Sequence, residues 1–141
     1  DITSYGGTIG VNSKIFGNYD IGFNYTLAKF DFDQSTDLDY EAGFNTPEHK
    51  VKLSFGNTAL VENLGFNVNV RWSDEYLWES SFVDTTVDAR TVIDAQINYS
   101  VPSFKSTFKI GAANLGGKEY FSVPGTGKIG SQYFVSWTIN P

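Results

Sequence analysis

Apolar and polar residues alternate along almost the whole chain. Between Leu64 and Ser73, every even position is apolar and every odd position is glycine or polar. Six further runs have the same period of two, around 8–15, 21–28, 50–55, 93–101, 104–112 and 131–139. Strict alternation marks a β-strand with one apolar and one polar face. The sequence therefore predicts an all-β chain of seven strands without a helix.

The connections between these runs alternate between short and long. Tight turns are predicted at 17–19 and 101–103, and a connection of middling length at 56–63. Long polar connections are predicted at 33–48, 74–90 and 116–130. Short turns between neighbouring strands favour an antiparallel meander. Turns at one end and long loops at the other are typical of outer-membrane barrels, which have short periplasmic turns and longer outer loops.

The two faces of the predicted sheet admit two opposite interpretations. A wide membrane barrel presents its apolar face to lipid and its polar face to a wet lumen, whereas a soluble barrel buries the apolar face inside. Aromatic residues near the predicted strand ends favour the membrane, because interfacial girdles lie there. These are Tyr5, Phe16, Tyr19, Phe44, Tyr76, Trp78, Tyr99, Phe104, Tyr120 and Tyr133. We therefore predict that Phe23, Leu53, Val68, Val70, Ile97, Phe108, Val135 and Trp137 face lipid, and that Asn24, Asn67, Asn69, Gln96, Asn98 and Lys109 face a lumen.

The composition excludes several classes of function. The chain has no cysteine and a single histidine, His49, which excludes disulfide frameworks and multi-histidine zinc sites. Its net charge of -6 argues against nucleic-acid binding, which needs a basic surface. Charged residues make up only 18% and aromatic residues 16%, so the aromatics need an apolar environment. We predict no enzymatic activity and no cofactor.

Seven strands do not make a complete single-chain bacterial barrel, because such barrels have an even number of strands from about 8 upward. An open sheet in lipid would also leave backbone groups unpaired along both edges. The chain begins at Asp1 rather than at methionine. The sequence thus predicts that residues 1–141 form part of a larger barrel.

Two segments carry a family resemblance. The segment Asn45-Thr46-Pro47-Glu48-His49-Lys50 resembles the N-x-P-x-H-K segment found late in TonB-dependent receptor barrels. The segment Asn114-Leu115-Gly116-Gly117-Lys118-Glu119-Tyr120 resembles the end of their penultimate strand. The resemblance implies the C-terminal seven strands of a transmembrane barrel of about 22 strands, without the plug domain and the N-terminal barrel strands.

This resemblance also implies a function and a set of partners. Receptors of this family lie in the outer membrane of Gram-negative bacteria and take up scarce ligands such as iron chelates, vitamins or oligosaccharides. The implied partners are outer-membrane lipid, the remaining strands and plug of the receptor, the barrel-assembly machinery, and TonB through an N-terminal region that is missing here. The closing strand would carry the assembly signal on Tyr133, Val135, Trp137 and Ile139.

Candidate binding residues and two other functions stay open. Asn67, Asn69, Arg71, Asp94, Gln96 and Asn98 form a polar set for contact with a ligand or the plug, or simply a hydrogen-bonded wet wall. The acidic run Asp31, Asp33, Asp37, Asp39 and Glu41 has the oxygens for calcium but lacks the spacing of an EF-hand, so we favour a solvated loop. The alternatives are a small structural or adhesive outer-membrane barrel and a soluble ligand-binding β-barrel.

Overall fold

The computed structural model describes residues 2–32 and 43–139. Its strands are β1 (Ile2–Ile15), β2 (Tyr19–Phe32), β3 (His49–Val61), β4 (Leu64–Ser73), β5 (Tyr76–Trp78), β6 (Thr85–Val87), β7 (Arg90–Val101), β8 (Ser106–Ala113), β9 (Tyr120–Phe121), β10 (Lys128–Ile129) and β11 (Gln132–Ile139). A 3-10 turn at Pro102–Phe104 joins β7 to β8. Within the described residues, no helix is long and apolar enough to span a membrane.

Seven strands form one antiparallel sheet in the order β1-β2-β3-β4-β7-β8-β11. This order confirms the predicted all-β meander of seven strands. The remaining strands form two small hairpins, β5–β6 and β9–β10, inside the long connections. The alternation did not predict these hairpins, because strands of two or three residues are too short to show a period.

The connection between β3 and β4 is shorter than predicted. Strand β3 continues to Val61, which leaves a turn of two residues, Glu62 and Asn63. Asn63 adopts a positive φ of 65°, which asparagine tolerates in tight turns. A register shift between Asn57 and Val61 disguised this part of the strand, because a bulge breaks the period of two. Phe104, predicted to begin the sixth strand, lies in the 3-10 turn instead.

The connections are sorted by end. The turns at 16–18, 62–63 and 102–105 lie at one end of the sheet, called the turn end below. The described connections at 43–48, 74–89 and 114–131 lie at the other, called the loop end. This arrangement follows from the meander, in which successive connections lie at opposite ends.

The register places all eight residues of the predicted lipid-facing set on one face. Phe23 pairs with Leu53, Leu53 with Val70, and Val70 with Ile93. Directly opposed residues of antiparallel strands project to the same side, so this row lies on one face, called the apolar face. The other rows continue it, including Phe108 opposite Trp137. The predicted lumen-facing residues occupy the opposite, polar face.

This sheet encloses no hydrophobic core of its own. Among the described residues, the buried hydrophobic side chains are Val87, Val92 and Ala112. On the apolar face, Ile97, Val135 and Trp137 are 57%, 76% and 64% exposed. The soluble-barrel alternative requires the apolar set to pack inside a closed interior, and in this structure the set lies open on a single layer.

The two edges of the sheet lie far apart in the strand order. Strand β1 pairs only with β2, and β11 pairs only with β8, within the described part of the chain. The first and last strands do not close on each other. Each therefore presents a row of backbone N–H and C=O groups that needs a partner in any apolar environment.

Candidate functional site

All six predicted polar-set residues lie together on the polar face. Asn67, Asn69 and Arg71 come from β4, and Asp94, Gln96 and Asn98 come from β7. Because these strands are neighbours in the sheet, Asn69 lies opposite Asp94 and Asn67 opposite Gln96. The alternation placed these side chains on one face, and the strand pairing brings them into one contiguous patch.

Asp94 connects this patch to a loop-end connection. The Arg71 guanidinium donates from Nη2 to Asp94 Oδ2 at 2.7 Å. The other carboxylate oxygen, Oδ1, accepts the backbone N–H of Asn114 at 3.0 Å. Beside this pair, the Asn69 side-chain amide donates to Asn67 Oδ1. Hydrogen bonding of this kind orients polar side chains across neighbouring strands.

Two glycines open a shallow groove beside the patch. The groove has a volume of about 350 Å³, and its lining includes Asn24, Lys52 and Arg71. Gly22 lies on β2, where a Cβ atom would collide with Ser54 Oγ. Gly10 lies on β1, where a Cβ atom would press against the side-chain amide of Asn24. Side chains at these two positions would therefore fill the groove.

Positive charge is concentrated on the polar face. The register places six of the chain's ten cationic side chains there but, of the carboxylates within residues 2–32 and 43–139, only Asp20 and Asp94. The six are Lys14, Lys50, Lys52, Arg71, Arg90 and Lys109. A chain with a net charge of -6 thus has a cationic polar face, and most of its described carboxylates lie in the connections between strands.

A larger cavity, called the outer cavity below, lies at the loop end. It has a volume of about 570 Å³ and is lined from both small hairpins and from Arg90 at the start of β7. The Arg90 guanidinium lies 4.7 Å from the centroid of the Tyr120 ring and donates from Nη1 to the carbonyl oxygen of Phe121. Lys128 Nζ lies 5.4 Å from the centroid of the Phe121 ring. Sequence reasoning missed this cavity and assigned Tyr120 to an aromatic girdle.

Aromatic rings form a band on the apolar face near the turn end. Tyr19 stacks on Phe55 with 5.6 Å between centroids, and Phe55 contacts Phe66 at 5.4 Å. Farther along the sheet, Phe108 stacks on Trp137 at 6.1 Å. The sequence analysis placed Tyr19 among the strand-end aromatics, but it marked the other four residues of this band only as apolar.

A second group of rings lies on the same face toward the loop end. Tyr25 stacks on His49 at 6.0 Å, and the Tyr25 hydroxyl is 2.8 Å from His49 Nδ1. On β4, six residue steps from Phe66 to Trp72 cover about 20 Å, at roughly 3.4 Å per residue. Barrels in outer membranes have an apolar band about 25 Å tall between two aromatic girdles. The spacing of the two groups is compatible with that height.

The predicted assembly-signal residues occupy the apolar face of β11. Tyr133, Val135, Trp137 and Ile139 alternate along this strand and are 60% or more exposed. The Trp137 indole N–H donates to Ser106 Oγ at 3.1 Å, which anchors the ring against β8.

The predicted acidic loop lies almost entirely outside the described residues. Of its carboxylates, only Asp31 is described, and it is exposed at the end of β2. Asp33, Asp37, Asp39 and Glu41 lie outside the described ranges. Within residues 2–32 and 43–139, no group of three or more histidine, cysteine, aspartate or glutamate side chains could hold a metal ion.

The two asparagines of the resembling segments hold the loop-end connections in place. Asn45 and Asn114 both have left-handed backbones, with φ of 49° and 51°. The Asn45 side chain donates to the Glu79 carbonyl oxygen at 2.9 Å and accepts the Glu79 N–H at 2.8 Å. The buried Asn114 side chain donates to the Lys118 carbonyl oxygen at 3.1 Å. These asparagines therefore shape the loops that border the outer cavity.

The fold matches part of a known receptor barrel. A structure of P. aeruginosa FpvA bound to a heterologous pyoverdine and iron superposes with a TM-score of 0.73 over 96% of this chain, at 12% identity. FpvA is a TonB-dependent outer-membrane receptor. This chain has the fold of a segment of that barrel. A structure of FpvAI in complex with pyocin S2 matches equally, with a TM-score of 0.74 at 12% identity over 96% of this chain.

The chain spans about a fifth of the length of these matched chains, 19% and 20% respectively. No protein-family model and no curated protein sequence matches it. The comparison therefore confirms the fold predicted from the alternation and from the two resembling segments.

Proposed function

We propose that this chain is the C-terminal portion of the barrel of a TonB-dependent receptor, which takes up a scarce ligand across the outer membrane of a Gram-negative bacterium. The observation that carries the proposal is the seven-stranded sheet with one apolar and one cationic polar face, in the fold of an FpvA barrel segment. The apolar face then meets lipid, and the polar face lines the lumen.

The open edges support a larger barrel. In lipid, each unpaired backbone group costs several kcal/mol, so both β1 and β11 need neighbouring strands. In a barrel of about 22 strands, β11 would pair with the first strand and β1 with the fifteenth. The exposed aromatic side chains of β11 suit it to recognition by the barrel-assembly machinery before closure.

The polar face supports the transport side of the proposal. Asn67, Asn69, Arg71, Asp94, Gln96 and Asn98 would contact the ligand or the plug domain. TonB would act through a region of the receptor outside these 141 residues. The proposal gives these six residues a role in binding and no role in catalysis.

Membrane fractionation of the full-length protein, combined with its migration on gels before and after boiling, tests this proposal. We expect the protein in the outer-membrane fraction, with a compact species before boiling, because folded barrels resist detergent. The folded species should be much larger than the 15.6 kDa of this chain. A soluble protein would contradict the membrane assignment, and a heat-sensitive barrel of this mass alone would favour the small structural barrel.

A further inference from the structure

We propose that the outer cavity binds a soluble ligand through carboxylate or phosphate oxygens. The inference rests on the proposed function, because it takes the cavity to open at the outer mouth of the lumen. It adds the chemical class of the ligand, an anion, which neither the fold nor the family resemblance specifies.

The distribution of charge at the loop end is the first argument. The described connections 43–48, 74–89 and 114–131 contain seven carboxylates but only two cationic side chains, Lys118 and Lys128. Both lysines line the outer cavity, where Arg90 joins them. The cavity also contains Asp88 and Glu119, so its lining has three cations against two anions. The cavity lining thus has a net positive charge, whereas the described loop-end connections have a net negative charge. This contrast favours the binding of an anion in the cavity.

The state of these cations is the second argument. Among the described residues, the salt bridges involve other groups, and Arg90, Lys118 and Lys128 take part in none. Arg90 and Lys128 lie against the faces of Tyr120 and Phe121 instead. An aromatic face holds a cation in place without neutralising its charge. The guanidinium has five N–H donors, and only one of them is used by the Phe121 carbonyl oxygen.

The position of Arg90 is the third argument. Arg90, Val92 and Asp94 alternate along β7 and therefore share the polar face. Farther along this face come Arg71, which lies opposite Val92, and Lys52, which lies opposite Arg71. Arg90 thus lies where the cavity meets the polar face, one alternation step from the level of Lys52 and of Arg71, which is paired with Asp94. A lipid headgroup would meet the opposite face, so the geometry favours a soluble anion.

Direct binding of two defined anions to the full-length receptor in detergent tests the inference. Citrate and inorganic phosphate serve as probes in equilibrium dialysis at constant ionic strength, and maltotriose serves as the uncharged probe. We expect saturable binding of at least citrate, and a loss of affinity of about tenfold for each of Lys118→Gln and Lys128→Gln, since a hydrogen bond to a charged group contributes at about that level. The matched control is the double variant Lys29→Gln with Lys105→Gln, which removes two lysines outside the cavity and should leave affinity unchanged.

Three results would overturn the inference. The first is that neither citrate nor phosphate binds saturably to the unmodified receptor. The second is an equal loss of affinity in the control variant, which would show a general effect of net charge. The third is binding of maltotriose that depends on the same two lysines while citrate binding does not. Fractionation of the cells that produce each variant separates the failure of this inference from the failure of the proposed function. A receptor that is found in the outer membrane but fails the binding tests overturns only the anion site.

Discussion

Replacing Val70 with arginine is expected to destabilise the folded protein in lipid by roughly 2–4 kcal/mol, the cost of a cation on the lipid face of a barrel near the bilayer midplane. Val70 lies on the apolar face between Leu53 and Ile93. Along β4 it lies between the ring of Phe66 and that of Trp72, away from both ends of the strand. An arginine there would lose its hydration without gaining an ion pair.

The neighbouring substitution Asn69→Arg is the matched control. Asn69 precedes Val70 in the chain but lies on the polar face, opposite Asp94. The same side chain at this position would stay in water beside a carboxylate, so we expect a change below about 1 kcal/mol. Urea unfolding of the full-length protein in lipid vesicles measures both variants. Equal effects of the two substitutions would contradict the assignment of the faces.

Proline at either Val135 or Ser136 is expected to destabilise the protein by several kcal/mol, the cost of unpaired backbone groups in lipid. Successive residues of an antiparallel strand direct their N–H groups to opposite sides. One of these two N–H groups therefore points toward β8 and the other toward the open edge of the sheet. Proline lacks the N–H, so it is tolerated at an edge position only where the edge has no partner.

The pattern of the two proline effects distinguishes a paired edge from a free one. If another strand pairs with β11, both substitutions remove a hydrogen bond and both destabilise. The variants Val135→Ala and Ser136→Ala keep the N–H groups and control for the loss of each side chain. Heat-sensitive migration and urea unfolding of the full-length protein report the folded fraction. If one of the two prolines behaves like its alanine control, β11 is a free edge and the larger barrel is contradicted.

The strands were predictable from the sequence because each has one apolar and one polar face. Alternation between Leu64 and Ser73 reflects an apolar face and a polar face on one strand, and this signal needs no knowledge of the partner strands. It fails where the strand is irregular or short. The bulge between Asn57 and Val61 hid the end of β3, and the two-residue strands β9 and β10 carry no period at all.

The candidate site was also predictable only in part. The polar set on β4 and β7 was predictable, because the period of each strand fixes the face and the meander makes the strands neighbours. The outer cavity was not, since it depends on how two long connections fold against each other. Arg90 and Tyr120 meet there although they lie far apart in the chain. Local periodicity contains no information on such a contact, and the aromatic ring was assigned to the membrane interface instead.

Spin labelling along β7 tests the central claim most directly. This chain has no cysteine, so single cysteines from Ile93 to Tyr99 are introduced into the full-length protein, in a background without other cysteines, and labelled in lipid vesicles. The account predicts that labels at 93, 95, 97 and 99 are accessible to lipid-soluble oxygen, while labels at 94, 96 and 98 are accessible to a water-soluble relaxation agent. Labels at the odd positions that neither agent reaches, with water at the even positions, would show an enclosed apolar core and contradict a transmembrane barrel.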